Sequence, residues 1–269
     1  MDTKPTITEP AKPEKKHLSA TQISMFLRCP EQFRFRYIEG KKVPPTGAMM
    51  QSKVWHKTVE ENYRQKIQSE QDLPLDHMQE FYAAEYETAL KAEEIAFESD
   101  ENPGQLKDEG IAITTVHHKL IAPRVRPMLV EEKFTVNLGD DFPYDLVGVW
   151  DLVDKDGFIA DNKAYSKTPN QDDVDKDIQL GIYSLGYRAT RNQIERGLRL
   201  DTIVKNKNPK AVQISTRRTN DDCRFLLRLI EQVARVIQSG VFYPNPNGWH
   251  CSAARCGYWS RCVGKTFVR

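Results

Sequence analysis

The amino-acid sequence predicts an α/β protein with a core of about five β-strands flanked by helices. Residues 146–154 and 158–165 are rich in Val, Ile, Leu and Trp, and the turn-forming residues 155–157 separate them, which is typical of two paired strands. Apolar residues recur at helical spacing in 178–189 and 221–238. Together with a strand at 129–136 and two short strands at 202–204 and 211–215, these segments indicate a sheet with helices on both sides.

Composition sets the class of protein but leaves its partner open. The chain has 269 residues, enough for one large core, and its 39 Lys and Arg balance 38 Asp and Glu. A nucleic-acid-binding surface would therefore depend on local clustering of charge. There is no apolar run of membrane-spanning length and no apolar signal-peptide region. We expect a soluble, non-secreted, cytoplasmic protein that has no membrane partner.

The N-terminal segment predicts a disordered leader over residues 1–17, followed by one domain over 18–269. The leader holds three prolines and four lysines and has almost no apolar residue. Ser19 and Gln22 then have the spacing of a capping box, so a helix is expected to begin there.

Arginines interleave with aromatic residues in the helical stretch that follows, at Arg28, Arg34 and Arg36. Such a pattern would suit contacts with DNA phosphates, although an amphipathic helix with a solvated face is the commoner explanation. A further helix from Gly47 carries His56, for which a structural or exposed role is the more common one.

Two more helical stretches, 76–97 and 105–125, predict a helical insertion over residues 76–127 that covers the core. The second stretch contains the pair His117-His118. Adjacent residues of a helix do not face the same way, so we assign this pair no metal site. A strand is expected directly after the insertion, at residues 129–136.

The loop between the two central strands decides which side chains share a face. If Lys155-Asp156-Gly157 is a three-residue loop with Gly157 in the left-handed region, Asp151 lies opposite Asp161 and Lys163 lies on the same face. A two-residue turn would instead turn Asp161 to the far side of the sheet.

With the three-residue loop, two carboxylates and a lysine converge on one face of the hairpin. Two ionised carboxylates at this spacing repel each other unless a cation or a raised pKa relieves them. A divalent ion held by oxygen ligands is the simplest relief. The alternative is a solvated face on which Lys163 acts as a surface counter-ion, and the hairpin alone leaves the two interpretations about even.

These residues resemble the signature of the PD-(D/E)XK nuclease superfamily in its RecB-like form, which has a restriction-endonuclease-like core. The matching residues are Asp151, then Asp161-Asn162-Lys163, then Gln179 and Tyr183 in the Q-x-x-x-Y spacing. Because Gln179 and Tyr183 are four residues apart, they share one helix face. The segment from Leu18 to Gly40 also resembles the opening helix of RecB-like nucleases, in which a cysteine precedes a proline.

The resemblance implies roles for these residues in Mg²⁺- or Mn²⁺-dependent hydrolysis of DNA. Metal ligands would be His56, Asp151, Asp161, the main-chain carbonyl of Asn162 and, by analogy with several members, Glu131, for which Glu132 is a rival. Lys163 would orient or deprotonate water, and Gln179 and Tyr183 would position the hairpin or contact DNA.

Three of the five cysteines, Cys251, Cys256 and Cys262, stand close together near the C-terminus. Three thiols among aromatic residues indicate a metal or cluster site within residues 249–262. His250 would permit zinc, although the C-x4-C-x5-C spacing lacks the usual zinc knuckle. The resemblance implies Cys29 as the fourth ligand of a 4Fe-4S cluster that joins the two ends of the domain, and structural zinc remains the alternative.

The resemblance implies a metal-dependent DNA nuclease. The preferred form of this function is an exonuclease that acts on DNA ends in recombination, repair or phage DNA processing. Its partners would be DNA, single-stranded or with ends, and a helicase or a recombination or integration protein. The alternatives are a CRISPR adaptation nuclease and a catalytically idle DNA-binding iron–sulfur protein.

Overall fold

The structure is a computed structural model, and it describes residues 16–139 and 142–262. Most of the predicted leader, residues 1–15, and the predicted end of the domain, residues 263–269, lie outside the described residues. Lys16 and His17, which the sequence assigned to the leader, belong to the first β-strand.

The described residues form a six-stranded sheet and eight α-helices. The strands are β1 (Lys16–Ser19), β2 (Pro127–Val136), β3 (Tyr144–Asp154), β4 (Phe158–Tyr165), β5 (Gly197–Val204) and β6 (Lys210–Thr216). The helices are α1 (Ala20–Arg28), α2 (Pro30–Phe33), α3 (Gly47–Ser69), α4 (Leu75–Ala92), α5 (Pro103–Leu120), α6 (Gln171–Asp175), α7 (Ile178–Arg191) and α8 (Asn220–Gln238).

The sheet mixes parallel and antiparallel pairs around β3. One edge of β3 pairs antiparallel with β2 over most of its length. The other edge is shared: β1 pairs in parallel with the first part of β3, and β4 pairs antiparallel with the last part. The strand β4 also pairs in parallel with β5, and β5 pairs antiparallel with β6. This α/β architecture confirms the predicted fold class, with six strands where about five were expected.

Helices cover both faces of the sheet and enclose two hydrophobic cores. The first core lies under α1, α2, α7 and α8, and the second lies under α3, α4 and α5. Fully buried members include Ile23, Leu180 and Ile230 in the first core and Trp55, Tyr82 and Ile113 in the second. The helices α4 and α5, which lie in the predicted insertion, contribute Tyr82 and Ile113 to the second core.

Several helix ends differ from the sequence prediction for local reasons. The helices of the predicted insertion stop at Ala92 and Leu120, five residues earlier than expected in each case. Pro123 follows the second of these ends, where its missing N–H and the restriction on its predecessor stop a helix. The predicted limit of the insertion, residue 127, already belongs to β2.

The start of α1 is capped as the sequence predicted. The Ser19 hydroxyl accepts a hydrogen bond from the Gln22 N–H, and the Gln22 side chain accepts one from the Ser19 N–H. Among the described helices, none combines the length and the apolar character that crossing a bilayer requires.

Candidate active site

The central hairpin has the three-residue loop on which the predicted site depends. Val153 pairs with Ile159, and Gly157 has a φ of +82°, the left-handed conformation that glycine adopts without strain. Counting from that pair, Asp151 stands opposite Asp161, which confirms the predicted register of the hairpin.

The strands β3 and β4 separate at the level of these two aspartates. Pairing between them ends at Leu152 and Ala160, and further along the same edge of β3 is occupied by β1. Asp151 and Asp161 therefore lie at the mouth of a split in the sheet, where β3 and β4 are no longer paired through their main chains. Such a split gives a substrate access to groups that would otherwise lie within a continuous sheet.

The alternation of side chains in β3 breaks at Asp151. Trp150 and Val153 are three residues apart, so an ideal strand would put them on opposite faces, yet both pack in the first core. The strand β2 shifts its alternation at the same level, where Glu131 stands opposite Asp151 and has a φ of +47°. Such a backbone costs about 1–3 kcal/mol and is concentrated at functional sites.

A histidine from α3 joins these two acids. The Nδ1 atom of His56 lies 3.4 Å from Asp151 Oδ2 and 4.0 Å from Glu131 Oε1. One ligand atom from each residue can be chosen so that all three lie within 4.8 Å of one another. Among the described residues, no other group of three His, Cys, Asp or Glu side chains has its ligand atoms within 4.8 Å of one another.

A continuous chain of hydrogen bonds links the two aspartates through α7. The Tyr183 hydroxyl donates to Asp151 Oδ1 at 2.8 Å and accepts from Gln179 Nε2 at 2.7 Å. Gln179 Nε2 also donates to Asp161 Oδ1 at 3.0 Å. Lys163 Nζ donates to Asp161 Oδ1 at 3.0 Å and to Gln179 Oε1 at 3.2 Å. The Q-x-x-x-Y spacing thus places both helix residues against the hairpin.

Burial and charge shift the pKa values of the groups in this site. Burial raises the pKa of Asp161 to about 7, with the Lys163 ammonium opposing the rise and the Asp151 charge adding to it. Burial lowers the pKa of Lys163, but the two aspartates outweigh burial and the pKa is raised overall. For His56, burial is likewise outweighed by the hydrogen bond with Glu131 and the Asp151 charge, so its pKa is raised.

The donor set fits a hard divalent cation. The Oδ2 atom of Asp161 is buried and has no hydrogen-bond partner among the described residues, an arrangement that is costly without a cation. The Asn162 N–H donates to Asp151 Oδ2 at 3.0 Å. Because the N–H and C=O of one strand residue point to the same edge of the strand, the Asn162 carbonyl points toward the site as well. Carboxylate and carbonyl oxygens with one imidazole suit Mg²⁺ or Mn²⁺.

Comparison with known sequences decides the family. A sequence model of the PD-(D/E)XK nuclease superfamily matches residues 17–263. The chain belongs to the PD-(D/E)XK nuclease superfamily. It is accordingly a hydrolytic nuclease, and its mixed sheet flanked by helices has the restriction-endonuclease-like architecture of that superfamily.

Two solved structures resemble this nuclease over nearly the whole chain. A protein from Eubacterium rectale, described as a “Putative exonuclease”, aligns with a TM-score of 0.60 and 12% identity over 94% of this chain and 90% of that chain. The structure of SSO0001 aligns with a TM-score of 0.45 and 13% identity over 95% of this chain and 89% of that chain. A search of curated proteins found no match. At 12% identity, the first likeness shows a shared fold.

The structure separates the predicted site residues of this nuclease into two adjoining groups. Three predicted metal ligands, His56, Glu131 and Asp151, approach one another closely. Asp161 lies beside them but is bound to Lys163 and Gln179, and it does not belong to that group of three. Glu132, the rival of Glu131, points elsewhere and forms an ion pair with Arg191 at 3.1 Å.

Sequence reasoning did not find three features that shape the site. The left-handed backbone of Glu131 leaves no signal in the residue type, since glycine or asparagine would be the usual choice. The hydrogen bond from the Asn162 N–H to Asp151 comes from the main chain. Trp150 Nε1 donates to the Tyr183 carbonyl at 3.1 Å and ties β3 to α7; a tryptophan in a strand is by itself only a sign of a core.

The four predicted cluster cysteines of the nuclease line one cavity. Cys29 is buried between α1 and α2, while Cys251, Cys256 and Cys262 come from the C-terminal segment. All four are described, and no three of their sulfur atoms lie within 4.8 Å of one another. A tetrahedral Zn²⁺ with Zn–S bonds of about 2.3 Å would need closer sulfurs.

His250 lines the same cavity and is 5% exposed, and its Nε2 atom has no hydrogen-bond partner among the described residues. Burial raises the pKa of the Cys251 and Cys262 thiols. The fifth cysteine, Cys223, is buried in α8 with its sulfur 3.8 Å from the Ser184 hydroxyl, as is usual for a free cysteine that packs as a small apolar residue.

Proposed function

We propose that this nuclease is a Mg²⁺- or Mn²⁺-dependent deoxyribonuclease that acts as an exonuclease on DNA ends. The observation that carries the proposal is the convergence of His56, Glu131 and Asp151 beside Asp161, which has a buried carboxylate oxygen with no hydrogen-bond partner among the described residues. Three carboxylates so close together are destabilising without a cation. A divalent ion is the natural counter-charge for this set.

The proposed ligands are His56, Glu131, Asp151 and Asp161, with the main-chain carbonyl of Asn162. A divalent ion bound there would polarise a phosphodiester and lower the pKa of a water molecule. The protein side chains around the ion would orient the reacting groups and supply fixed charge.

Lys163 is held by two hydrogen bonds, to Asp161 and to Gln179, so its ammonium group has a defined position at the mouth of the split. There it would orient the attacking water and face the negative charge that develops on the phosphate. Tyr183 and Gln179 would act as positioning residues, because they hold Asp151 and Asp161 rather than reach the reacting atoms.

An exonuclease is preferred to an endonuclease for two reasons. Stand-alone RecB-like domains with this arrangement of cysteines commonly act on ends, and the Eubacterium rectale protein that shares the fold carries an exonuclease description. DNA, single-stranded or with ends, is the proposed substrate, and a helicase or a recombination or integration protein is the proposed partner.

The metal and the reaction are tested with linear and covalently closed circular DNA, with Mg²⁺ or Mn²⁺ and with EDTA. We expect cleavage of linear DNA, loss of cleavage in EDTA, and release of short products from the ends. Equal cleavage of circular and linear DNA would refute the exonuclease. Binding of DNA without cleavage in either metal would favour a catalytically idle DNA-binding protein.

The residue assignment is tested with Asp161→Ala and Lys163→Ala, each of which should abolish cleavage while the fold is retained. Asp156→Ala and Lys155→Ala are matched controls, because these residues lie in the loop of the same hairpin and their side chains are exposed. Metal-dependent cleavage by either of the first two variants would contradict the assignment.

The cysteine cavity is proposed to hold a 4Fe-4S cluster that joins α1 to the C-terminal segment. Thiolates suit iron–sulfur clusters, and all four predicted cluster cysteines line this one cavity. Protein purified without oxygen should be brown and hold about four irons. One zinc per chain and no visible absorption would favour the structural zinc alternative.

A further inference from the structure

A cavity of about 290 Å³ opens directly beside the proposed active site. Asp151, Gln179 and Tyr183 form part of its lining, and the start of α1 forms the facing wall. The cavity also reaches Lys133 and Val149, which are paired across β2 and β3. Its size is near the lower end of the range for small-ligand pockets.

Lys133 is an exposed cation, and no described residue neutralises its charge. It forms no ion pair with any residue in 16–139 or 142–262. Its neighbour Glu132 is engaged with Arg191. The lysines on the nearby helix α3 differ, since Lys53 and Lys57 each have a glutamate partner. Lys133 therefore places a positive charge at the rim of the cavity that has no ion-pair partner among the described residues.

The position of Lys133 matches the spacing of a nucleic-acid strand. Two residues along β2 separate it from Glu131, and two strand residues span about 6.8 Å. This is on the scale of the distance between successive phosphates of an extended strand. A strand with one phosphate at the metal ligands would thus place its next phosphate near Lys133.

The charge of the site gives a physical reason for such a contact. Glu131, Asp151 and Asp161 place three carboxylates where a polyanion must approach, and Lys163 is already bound to one of them. An additional cation outside the metal site lowers this repulsion. Val149 is 39% exposed between Lys133 and Asp151, and offers an apolar surface to a sugar or a base.

We infer that Lys133 is a substrate-binding residue that holds the phosphate next to the scissile one, with that nucleotide seated in the cavity beside Asp151. The inference rests on the proposed nuclease function of the same site. Lys133 acts on the substrate backbone alone, so it contributes to binding without selecting a base sequence.

The test compares Lys133→Gln and Lys133→Arg with the wild-type enzyme on a labelled oligonucleotide. Lys133→Gln should raise KM about fivefold to tenfold and leave kcat within about twofold, because a phosphate contact contributes mainly to uniform binding. Lys133→Arg keeps the charge and should restore KM. Lys119→Gln, at an exposed lysine in the last turn of α5, is the matched control and should change neither constant.

A second readout does not depend on cleavage. Binding of the oligonucleotide is measured by fluorescence anisotropy in EDTA at several salt concentrations. The slope of log Kd against log salt should be shallower by about 0.7–0.9 for Lys133→Gln than for wild type, as expected for one lost phosphate contact. Unchanged KM and an unchanged slope would overturn the inference, as would a change in Lys119→Gln of the same size.

The two proposals fail in distinguishable ways. If the wild-type enzyme cleaves DNA and Lys133→Gln behaves like it, only the role of Lys133 is refuted. If the wild type does not cleave DNA with Mg²⁺ or Mn²⁺, the nuclease proposal for this site fails, and the salt dependence still reports whether Lys133 contacts a nucleic acid.

Discussion

Replacing Tyr183 by Phe tests whether the hydrogen-bond network of α7 holds the catalytic hairpin. The hydroxyl makes two bonds, as a donor to Asp151 at 2.8 Å and as an acceptor from Gln179 at 2.7 Å. Tyr183 is 3% exposed, so water cannot readily take the place of the hydroxyl. The variant therefore leaves a buried carboxylate with one donor fewer.

The magnitude follows from the charged nature of that bond. A hydrogen bond to a charged group contributes roughly 1.5–3 kcal/mol, so the free energy of unfolding should fall by about 2 kcal/mol. In a domain of this size this lowers Tm by about 4–8 °C. Because Tyr183 orients a proposed metal ligand, Mn²⁺ affinity or kcat should fall about 10- to 100-fold.

Urea unfolding without metal, calorimetric titration with Mn²⁺ and single-turnover cleavage measure the three quantities. Tyr187→Phe is the control, because Tyr187 lies one turn further along α7 and packs against Trp150. Unchanged Mn²⁺ affinity and cleavage in Tyr183→Phe would refute the reasoning. A lower free energy of unfolding with unchanged Mn²⁺ affinity and cleavage would show that Tyr183 has only a structural role.

Three further predictions test other parts of the structure. Glu131→Gln should weaken Mn²⁺ binding at least tenfold in calorimetry, because it removes a carboxylate from the proposed ligand set; unchanged affinity would contradict its place in that set. Gly148→Ala should lower the free energy of unfolding in urea by about 1–3 kcal/mol, since the new Cβ would lie 2.3 Å from the Phe134 ring; wild-type stability would contradict this packing. His117 is buried, which lowers its pKa to about 3 from 6.5; its stabilising contribution is present above pH 6.5 and is lost as the pH falls toward 3, by up to about 1.4 kcal/mol per pH unit. His117→Gln should show a shallower loss in urea titrations between these pH values, and an equal slope would contradict the assigned pKa.

The hairpin shows how far local chemistry can predict a site. Lys155-Asp156-Gly157 allowed a three-residue or a two-residue loop, and the opposition of Asp151 and Asp161 followed from the three-residue loop, because loop length fixes register. The spacing of Gln179 and Tyr183 fixed their common helix face. Both inferences depend on residues that are close in the chain.

Other parts of the site depended on contacts between distant segments. The four-residue strand β1 forms because it fills the edge of β3 that β4 leaves open, and its own sequence carries little strand signal. The approach of His56 to Asp151 joins residues 95 positions apart, and only the packing of α3 on the sheet brings them within 3.4 Å. The split between β3 and β4 has the same origin.

The sequence by itself determined the fold class, the pairing of Gln179 with Tyr183 and the two registers open to the central hairpin, because turn chemistry and strand and helix periodicity act over a few residues. The tertiary structure alone decided that Glu131 takes a left-handed backbone and meets His56, and that Asp161 keeps one buried oxygen with no hydrogen-bond partner among the described residues. Those features come from strands and helices packing at long range, where the residues next to a position in the chain no longer set its surroundings.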